Sequence, residues 1–331
     1  GQGFYKKTIN ESGKKEILEL DLKTFEYKST SKTKFETIGK ARGIDNLKKR
    51  TNVLFNGNDK AGDFYRRVFA GLLSYASHRI PEISDEIYRL DEAMKAGFGW
   101  ELGPFEIWDA IGIKEGITNI EKANLTVPEW VISFAKENES FYRISDGKSN
   151  FYDIQAKKFQ PISGSNDVIS LSTLDSSKTI WKNEEASIQD IGDGIINVTF
   201  HSKMNTIGGG ILSAINTAID FAEEGQFKGI VISNEGANFS AGANVGMIFM
   251  MAAEQDYDEL NLAVKGFQQT TMRIRYSSIP VVAAPHGMTL GGGCEICMHA
   301  DKVIAHAETY MGLVEFGVGL IPGGGGTKEM V

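Results

Sequence analysis

The stretch HGMTLGGGCEICMHAD, His286–Asp301, places three consecutive glycines directly before an apolar segment that contains one glutamate. Glycines let the backbone approach a ligand closely, because no Cβ intervenes. The first N–H groups of a helix have no intrahelical acceptor and lie at the positive end of the helix dipole. The stretch therefore predicts a helix over 292–299 whose first amides can stabilise a carbonyl oxygen that becomes negative during a reaction.

A second loop of the same character lies earlier in the chain, in SNEGANFSAGANVGM, 233–247. It follows a buried strand predicted over 229–233 and opens a long helix predicted over Met247–Tyr276. Its backbone can supply a second donor. Two donors from two separate strand-to-helix turns would make an oxyanion hole.

Two glutamates stand in otherwise apolar surroundings. Glu295 lies inside the helix that the glycines begin, and Glu315 lies in YMGLVEFGVGLIPGGGG, which is otherwise free of charge. Two carboxyls in one apolar pocket separate their pKa values, which gives one acid and one base. The alternative is that each glutamate caps a backbone segment or meets a lysine, and the pattern alone leaves both interpretations open.

Composition narrows the function classes. The chain has 331 residues and a formal net charge of −8, which argues against a general nucleic-acid binder. No apolar run reaches the roughly 20 residues that span a bilayer. The only two cysteines, Cys294 and Cys297, suggest a reducing, cytoplasmic setting, and we interpret them as small buried thiols with no metal. PGGGGTK, 322–328, lacks the order of a phosphate loop and predicts a turn that opens a helix beside the ligand.

The chain divides into three parts by pattern. Residues 1–136 are predicted to be α-helical; FYRRVFAGLLSYASHRI, for example, places Phe64, Val68, Leu72 and Tyr75 on one helix face. Residues 137–186 are turn-rich and predict a linker or small β-extension. Residues 187–331 alternate strands with helices, which predicts parallel pairing in an α/β fold, with strands at 194–200, 229–233, 280–285 and 302–306.

The segment NFSAGANVGM … PVVAAPHGMTLGGGCEICMHADKVIAHAETYMGLVEFGVGLIPGGGGT resembles the crotonase (enoyl-CoA hydratase/isomerase) family. The resemblance covers about residues 187–331, and several motifs occur in the family's order and spacing. It implies a crotonase-like ββα superhelix that binds acyl-CoA thioesters.

The resemblance implies a role for particular residues. The two oxyanion donors fall on Ala243 and Gly292, and the two catalytic acids fall on Glu295 and Glu315. The backbone that would contact the acyl-CoA falls on Lys203, Met204, Ala241, Gly242, Asn244, Gly291 and Gly293. The presence of both acids favours a hydratase over the isomerases, which commonly keep only the second.

The implied reaction adds water to a trans-2-enoyl-CoA. The thioester oxygen accepts N–H bonds from Ala243 and Gly292, Glu295 activates water for attack at C3, and Glu315 orients that water and supplies a proton to C2. The reaction requires no metal or redox cofactor in this chain. The sequence departs from the family at Asn244 and Gly246, where an Asp and a later Lys are common on the loop near the CoA moiety. The resemblance also stops at Val331, before the C-terminal helices that the family uses for its acyl pocket and trimer.

The first part carries a second resemblance. GQGFYKK and RLDEAMKAGFGWELGPFEIWDAIGI are similar to the helical C-terminal region of 3-hydroxyacyl-CoA dehydrogenases. Together the two resemblances imply a fragment of a bifunctional protein of fatty-acid β-oxidation. NAD is expected only in a dinucleotide-binding domain outside this sequence. A homo-oligomer or a complex with a β-oxidation thiolase is the partner that the resemblance implies.

Two alternatives to the hydratase remain open. A crotonase-fold isomerase or acyl-CoA hydrolase would form other products from acyl-CoA. A non-catalytic scaffold segment of a multienzyme is the alternative from another class, favoured by the missing cofactor domain and the early end of the family match.

Overall fold

The computed structural model of the chain describes residues 3–10, 12–30, 33–145, 147–165 and 168–331. Gly1 and Gln2 of the GQGFYKK motif lie outside the described residues. The chain forms two compact units: Gly1–Arg143 with Asn150–Ile162, here called the helical unit, and Ile144–Ser149 with Ser163–Val331, here called the α/β unit. The division into domains at residues 136 and 186 stays a prediction.

The helical unit begins with a small antiparallel sheet in the order β1-β2-β3, and helices follow. The elements are β1 (Tyr5–Ile9), β2 (Lys15–Leu20), β3 (Tyr27–Ser29), α1 (Glu36–Arg42), α2 (Leu47–Phe55), α3 (Lys60–His78), α4 (Ile87–Phe98), α5 (Pro104–Ile111), α6 (Ile113–Lys122) and α7 (Glu129–Phe134). A three-stranded sheet in the order β4-β5-β6 follows, with strands β4 (Tyr142–Ser145), β5 (Lys148–Asp153) and β6 (Lys158–Pro161).

Helix α3 confirms the predicted helix but buries a different face. Phe64 and Tyr75 of the face read from the sequence are 62% and 65% exposed. The buried face instead contains Leu73, which is fully buried, and small residues that let neighbouring helices approach. The apolar spacing predicted the helix correctly. As a guide to the face that is buried, the same spacing was wrong.

A buried carboxylate holds the start of α5. Helix α4 ends at Gly99, whose left-handed conformation suits a glycine, and α5 begins at Pro104. The carboxyl of Asp91 on α4 accepts the N–H groups of Phe105 at 2.9 Å and Glu106 at 3.0 Å. It also accepts the hydroxyl of Tyr142 at 2.7 Å. Burial outweighs these bonds and raises the pKa of Asp91 to about 7.

The α/β unit is built on a six-stranded sheet in the order β13-β11-β10-β9-β8-β7. Its elements are β7 (Thr179–Lys182), β8 (Ala186–Gly192), β9 (Ile195–Phe200), α8 (Gly209–Glu223), β10 (Gly229–Ile232), α9 (Val245–Ala253), α10 (Tyr257–Tyr276), β11 (Val281–Ala283), β12 (Met288–Leu290), α11 (Gly292–His299), β13 (Lys302–Val303), β14 (Tyr310–Gly312) and α12 (Gly326–Glu329). Strands β12 and β14 pair separately and in parallel.

Parallel pairing of β9, β10, β11 and β13 confirms the prediction from alternating strands and helices. Helix α8 lies over this sheet, and its inward residues are buried together with those of β9 and β10. Each fully buried isoleucine contributes about 1.5–3 kcal/mol. The members of this core that are at most 2% exposed include Ile196, Val198, Ile211, Ile215, Ile219, Ile230 and Ile232.

Two predicted elements differ in extent from the observed ones, and a third is confirmed. The single long helix predicted over Met247–Tyr276 is wrong, since the chain breaks between α9 and α10 at Gln255, which has φ of 60°. The strand predicted over 302–306 is limited to two residues. The helix predicted over 292–299 is confirmed at both ends as α11.

In the part of the chain that the structure describes, no helix combines the length and the apolar character needed to cross a bilayer.

Candidate active site

Three backbone segments run side by side at the glycine-rich end of the α/β unit. Ser240 donates its N–H to Met288 at 3.1 Å and accepts from Leu290 at 2.9 Å, which fixes the loop before α9 against β12. The same loop is fixed on its other side by Ala241, whose N–H donates to the carbonyl of Met204 at 3.1 Å. The turn Lys203–Asn205, the loop before α9 and strand β12, which leads into the three glycines, therefore lie side by side.

The two proposed oxyanion amides are neighbours. A Cβ placed on Gly292 would lie 3.3 Å from the amide nitrogen of Ala243, and one placed on Gly242 would lie 3.4 Å from the amide nitrogen of Gly292. Gly292 is the first residue of α11, so its N–H has no intrahelical acceptor. Among the described residues, the N–H of Ala243 donates to no protein acceptor. Ile207 instead donates its N–H to Gly242 and accepts the N–H of Asn244, the two neighbours of Ala243.

Glycine is required at this point by both conformation and space. Gly291 has φ of 50° and ψ of −121°, the conformation of the first central residue of a type II′ turn. Gly242 has φ of 95°, and a Cβ there would lie 2.9 Å from the carbonyl oxygen of Leu290. Gly293 lies against Ser240, whose Cβ would be 2.7 Å from an added Cβ. These glycines let the amide-bearing turns pack against each other.

Strand β14 brings Glu315 to the same turn. It pairs in parallel with β12, and Gly291 donates its N–H to the carbonyl of Gly312 at 2.9 Å. Glu315 follows at the start of the 3-10 turn Glu315–Val318. A Cβ on Gly291 would lie 3.2 Å from Oε1 of Glu315. Its Oε2 is buried and has no hydrogen-bond partner in the described part of the chain, an uncommon state for a carboxylate oxygen.

Glu295 lies in the first turn of α11 and is 2% exposed. Its Oε1 accepts the N–H groups of Gly324 at 2.8 Å and Gly326 at 2.9 Å. Burial raises the pKa of Glu295 above the ordinary glutamate value, and the nearby charge of Glu315 raises it too. The two N–H donors act in the opposite direction and lower it.

The residues that hold Glu295 were not identified as functional from the sequence. PGGGGTK was predicted to be a turn that opens a helix, and α12 does begin at Gly326. That the loop donates to Glu295 follows from a contact across 29 residues of sequence, for which no local pattern exists. The run of four glycines was the one signal that could have indicated it.

The remaining predicted ligand residues lie on exposed or half-buried backbone around this point. Lys203 and Met204 belong to a short turn, where Met204 has φ of 56°, and both are exposed. Asn244 accepts the N–H of Met247 at 3.3 Å and so caps α9. Their contacts with an acyl-CoA stay predictions, as do the roles of all the site residues.

Both cysteines are buried on α11. Burial raises the pKa of Cys297 to about 12 and also raises the pKa of Cys294. The thiol form is therefore favoured at neutral pH, which agrees with the interpretation of small packing residues.

Residues 190–331 match the family described as enoyl-CoA hydratase/isomerase. This part of the chain is a domain of that family, which is the crotonase family, and the recognition and the fold class predicted for it are confirmed.

Curated relatives align with the chain well beyond this domain. A protein of Bacillus subtilis (strain 168) named probable 3-hydroxyacyl-CoA dehydrogenase is 42% identical over 332 residues, which cover 100% of this chain and 41% of that protein. A Rickettsia prowazekii protein named putative fatty acid oxidation complex trifunctional enzyme is 28% identical, over 99% of this chain and 41% of that protein. The chain thus spans about two fifths of the length of these relatives.

Among solved structures, an enoyl-CoA hydratase from Thermoplasma volcanium is 27% identical, with a TM-score of 0.40 over 45% of this chain and 58% of that chain.

Proposed function

We propose that the α/β unit hydrates trans-2-enoyl-CoA thioesters. One observation carries the proposal: Glu315 lies against the glycine turn that contains the neighbouring amides of Ala243 and Gly292, and it is close enough to Glu295 for its charge to raise the pKa of Glu295. Addition of water across an α,β-unsaturated thioester needs both components. It needs donors for the oxygen that becomes negative, and an acid and a base for the water.

The proposed reaction proceeds through the thioester enolate. Glu295 accepts a proton from water as the water oxygen bonds to C3, and the C2–C3 π electrons move toward the thioester carbonyl. The amides of Ala243 and Gly292 stabilise the resulting oxyanion. Glu315, which orients the water through its carboxyl, supplies the proton that bonds to C2. The sum is one water added to one substrate, and a proton passed from Glu295 to Glu315 through solvent restores the starting state.

Burial bears on the strength of the proposed base. A raised pKa makes Glu295 a stronger base than an exposed glutamate once it is ionised. Glu315 has a buried Oε2 without a protein partner, which leaves an oxygen for the water or the substrate. The proposal is also supported by the family match of residues 190–331 and by a Bacillus subtilis protein named probable enoyl-CoA hydratase, which is 34% identical over 135 residues.

The test is hydration of crotonyl-CoA by the full-length protein and by its Glu295→Gln and Glu315→Gln variants. Loss of a general acid or base should lower kcat about 10²–10⁴-fold. Glu254→Gln is the matched control, because Glu254 is an exposed glutamate at the end of α9 and should leave the rate unchanged.

Product analysis separates the related chemistries. A hydratase forms a 3-hydroxyacyl-CoA, an isomerase moves the double bond, and a hydrolase releases free CoA thiol. Unchanged rates in both glutamine variants would refute the proposed roles. Free CoA or a shifted double bond as the main product would assign the same site to the alternative reaction.

We further propose that the natural protein joins this hydration to oxidation of the 3-hydroxyacyl-CoA product. The proposal is supported by the alignment of the whole chain with 41% of a relative named probable 3-hydroxyacyl-CoA dehydrogenase. The oxidation would belong to an NAD-binding domain outside this sequence. Reduction of NAD by the full-length protein, started with crotonyl-CoA and water alone, would test the coupling. Assembly with a second copy or a thiolase stays a prediction.

A further inference from the structure

The loop 322–326, Pro322–Gly323–Gly324–Gly325–Gly326, is the only partner that the structure gives to the Oε1 atom of Glu295 within the described residues. Four of its five residues are glycines, which have more conformational freedom than any other residue type. A loop of this composition would not hold two N–H groups in place by itself. Its restraint must come from the elements packed against it.

Gln268 on α10 fixes the first of the two donors. Its side-chain amide donates to the carbonyl of Gly323 at 2.8 Å. That carbonyl belongs to the same peptide unit as the N–H of Gly324, which donates to Glu295 at 2.8 Å. A trans peptide is planar, and its C=O and N–H point in opposite directions. Holding the oxygen therefore aims the N–H, and a donor on the oxygen also makes that N–H a stronger donor.

Thr271 fixes the next peptide unit of the loop. Its hydroxyl, which is fully buried, lies 2.9 Å from the carbonyl oxygen of Gly324 and 3.0 Å from that of Gln268. Thr271 and Gln268 are three residues apart, so they lie on one face of α10. The ring of Phe267 occupies the space beside them: a Cβ on Gly324 would lie 2.0 Å from its Cε1, and one on Gly292 would lie 3.0 Å from its Cζ.

We propose that Gln268 and Thr271 are positioning residues for Glu295, acting through loop 322–326. They contact neither the proposed substrate nor the carboxyl itself. They orient the backbone N–H groups that hold Oε1 of Glu295. The expected effect on kcat rests on the proposed function. The expected effect on the titration of the Glu295 carboxyl does not depend on it.

The test compares Thr271→Val with Thr271→Ser in the full-length protein. The valine variant lacks the hydroxyl but keeps the shape, and it should lower kcat about tenfold, the effect of one lost hydrogen bond, with KM nearly unchanged. Serine restores the hydroxyl and should restore kcat. In Glu295→Gln, the added Thr271→Val change should have little effect, because the residue on which it acts has already been replaced.

A second readout is the titration of the Glu295 carboxyl by infrared spectroscopy, with its band assigned by loss in Glu295→Gln. Misplaced N–H donors no longer lower the pKa, so the titration should move to higher pH in Thr271→Val. Gln268→Leu should move it in the same direction, and it tests the inference at an exposed position should the buried variant not fold.

Thr270→Val is the matched control. The neighbouring residue Thr270 is 2% exposed, but its hydroxyl donates to the carbonyl of Gly266 and accepts from Asn216 instead of contacting the loop. The inference is overturned if Thr271→Val and Gln268→Leu match this control in both kcat and the carboxyl titration. If the titration moves although hydration is insensitive to Glu295→Gln, the positioning stands and the proposed function fails.

Discussion

Replacing Gly291 by alanine tests how the two acids and the amides are brought to one place. Gly291 has φ of 50° and ψ of −121°, a backbone conformation that L-residues rarely adopt, and such strain costs about 1–3 kcal/mol. The new Cβ would also lie 3.2 Å from Oε1 of Glu315, so the carboxyl must shift by a few tenths of an ångström. We expect the free energy of unfolding to fall by about 1–3 kcal/mol.

Hydration should fall more steeply than stability in this variant. The Cβ displaces the carboxyl that is proposed to protonate C2 by a few tenths of an ångström. A misplacement of about 1 Å can cost about 10²-fold in rate, which is the upper limit that we expect for this smaller shift. The assays are urea unfolding and crotonyl-CoA hydration at a temperature where the variant stays folded. A drop in kcat without loss of folded protein would locate the effect at Glu315.

Gly209→Ala provides the control for these measurements. Gly209 is the first residue of α8, and no atom lies within 4 Å of a Cβ placed there. Alanine at such a position should stabilise the protein by about 0.4–1 kcal/mol through the unfolded state. If Gly291→Ala behaved like Gly209→Ala in both assays, the geometry argued for the glycine turn would be refuted.

Two further predictions concern pH. Glu295 must be ionised to act as a base, and burial raises its pKa. We therefore expect the hydration rate to fall on the acid side at a pH above the ordinary glutamate pKa. A pH profile of kcat should show this fall, and a flat profile there would oppose the proposed role of Glu295. The folded protein holds a proton on Asp91 more tightly than the unfolded chain does, and this difference adds at most about 4 kcal/mol to the free energy of unfolding. The contribution is complete below pH 3.8 and is lost as the pH rises through about 7. Urea unfolding followed by tryptophan fluorescence in a Trp181→Phe background should show the loss, and Asp91→Asn should remove its pH dependence.

Local signals predicted the amide-bearing part of the site. Three glycines before an apolar run fixed the start of α11, and the alternation of strands and helices predicted parallel pairing. These properties depend on residues close in sequence: glycines permit the turn, and helix amides without acceptors follow from the helix start itself. The sequence alone therefore predicts that Gly292 begins α11 and that Glu295 lies in its first turn.

The parts that depend on distant contacts could not be predicted in the same way. Glu315 reaches Gly291 because β14 pairs with β12, and the nineteen residues of sequence between the two glutamates contain no sign of that register. The break at Gln255 is an interruption of an otherwise continuous helical pattern. The exposure of Phe64 on α3 reflects what packs against the helix, which the period of its apolar residues does not specify.

The structure also changes the choice between a capping and a catalytic role for Glu295. The carboxyl does cap a backbone, since Oε1 accepts two N–H groups from loop 322–326, yet it lies beside a second acid as well. The two roles differ in what Glu295→Gln should do. Glutamine keeps an oxygen acceptor for the loop, so a purely catalytic carboxyl would lose its rate while the free energy of unfolding changes by less than about 1 kcal/mol.

A carboxyl whose main role is to hold the loop would behave in the opposite way. Its replacement would weaken charge-assisted bonds, which are about twice as strong as neutral ones, and would lower stability while leaving a folded remnant with hydration activity. Burial and the charge of Glu315 raise the pKa of Glu295 by more than the two N–H donors lower it. The ionised carboxyl is therefore a stronger base than it would be if the two hydrogen bonds dominated. In Glu295→Gln we therefore expect kcat to fall while the free energy of unfolding is nearly kept, and a loss of stability with retained hydration would favour the capping role.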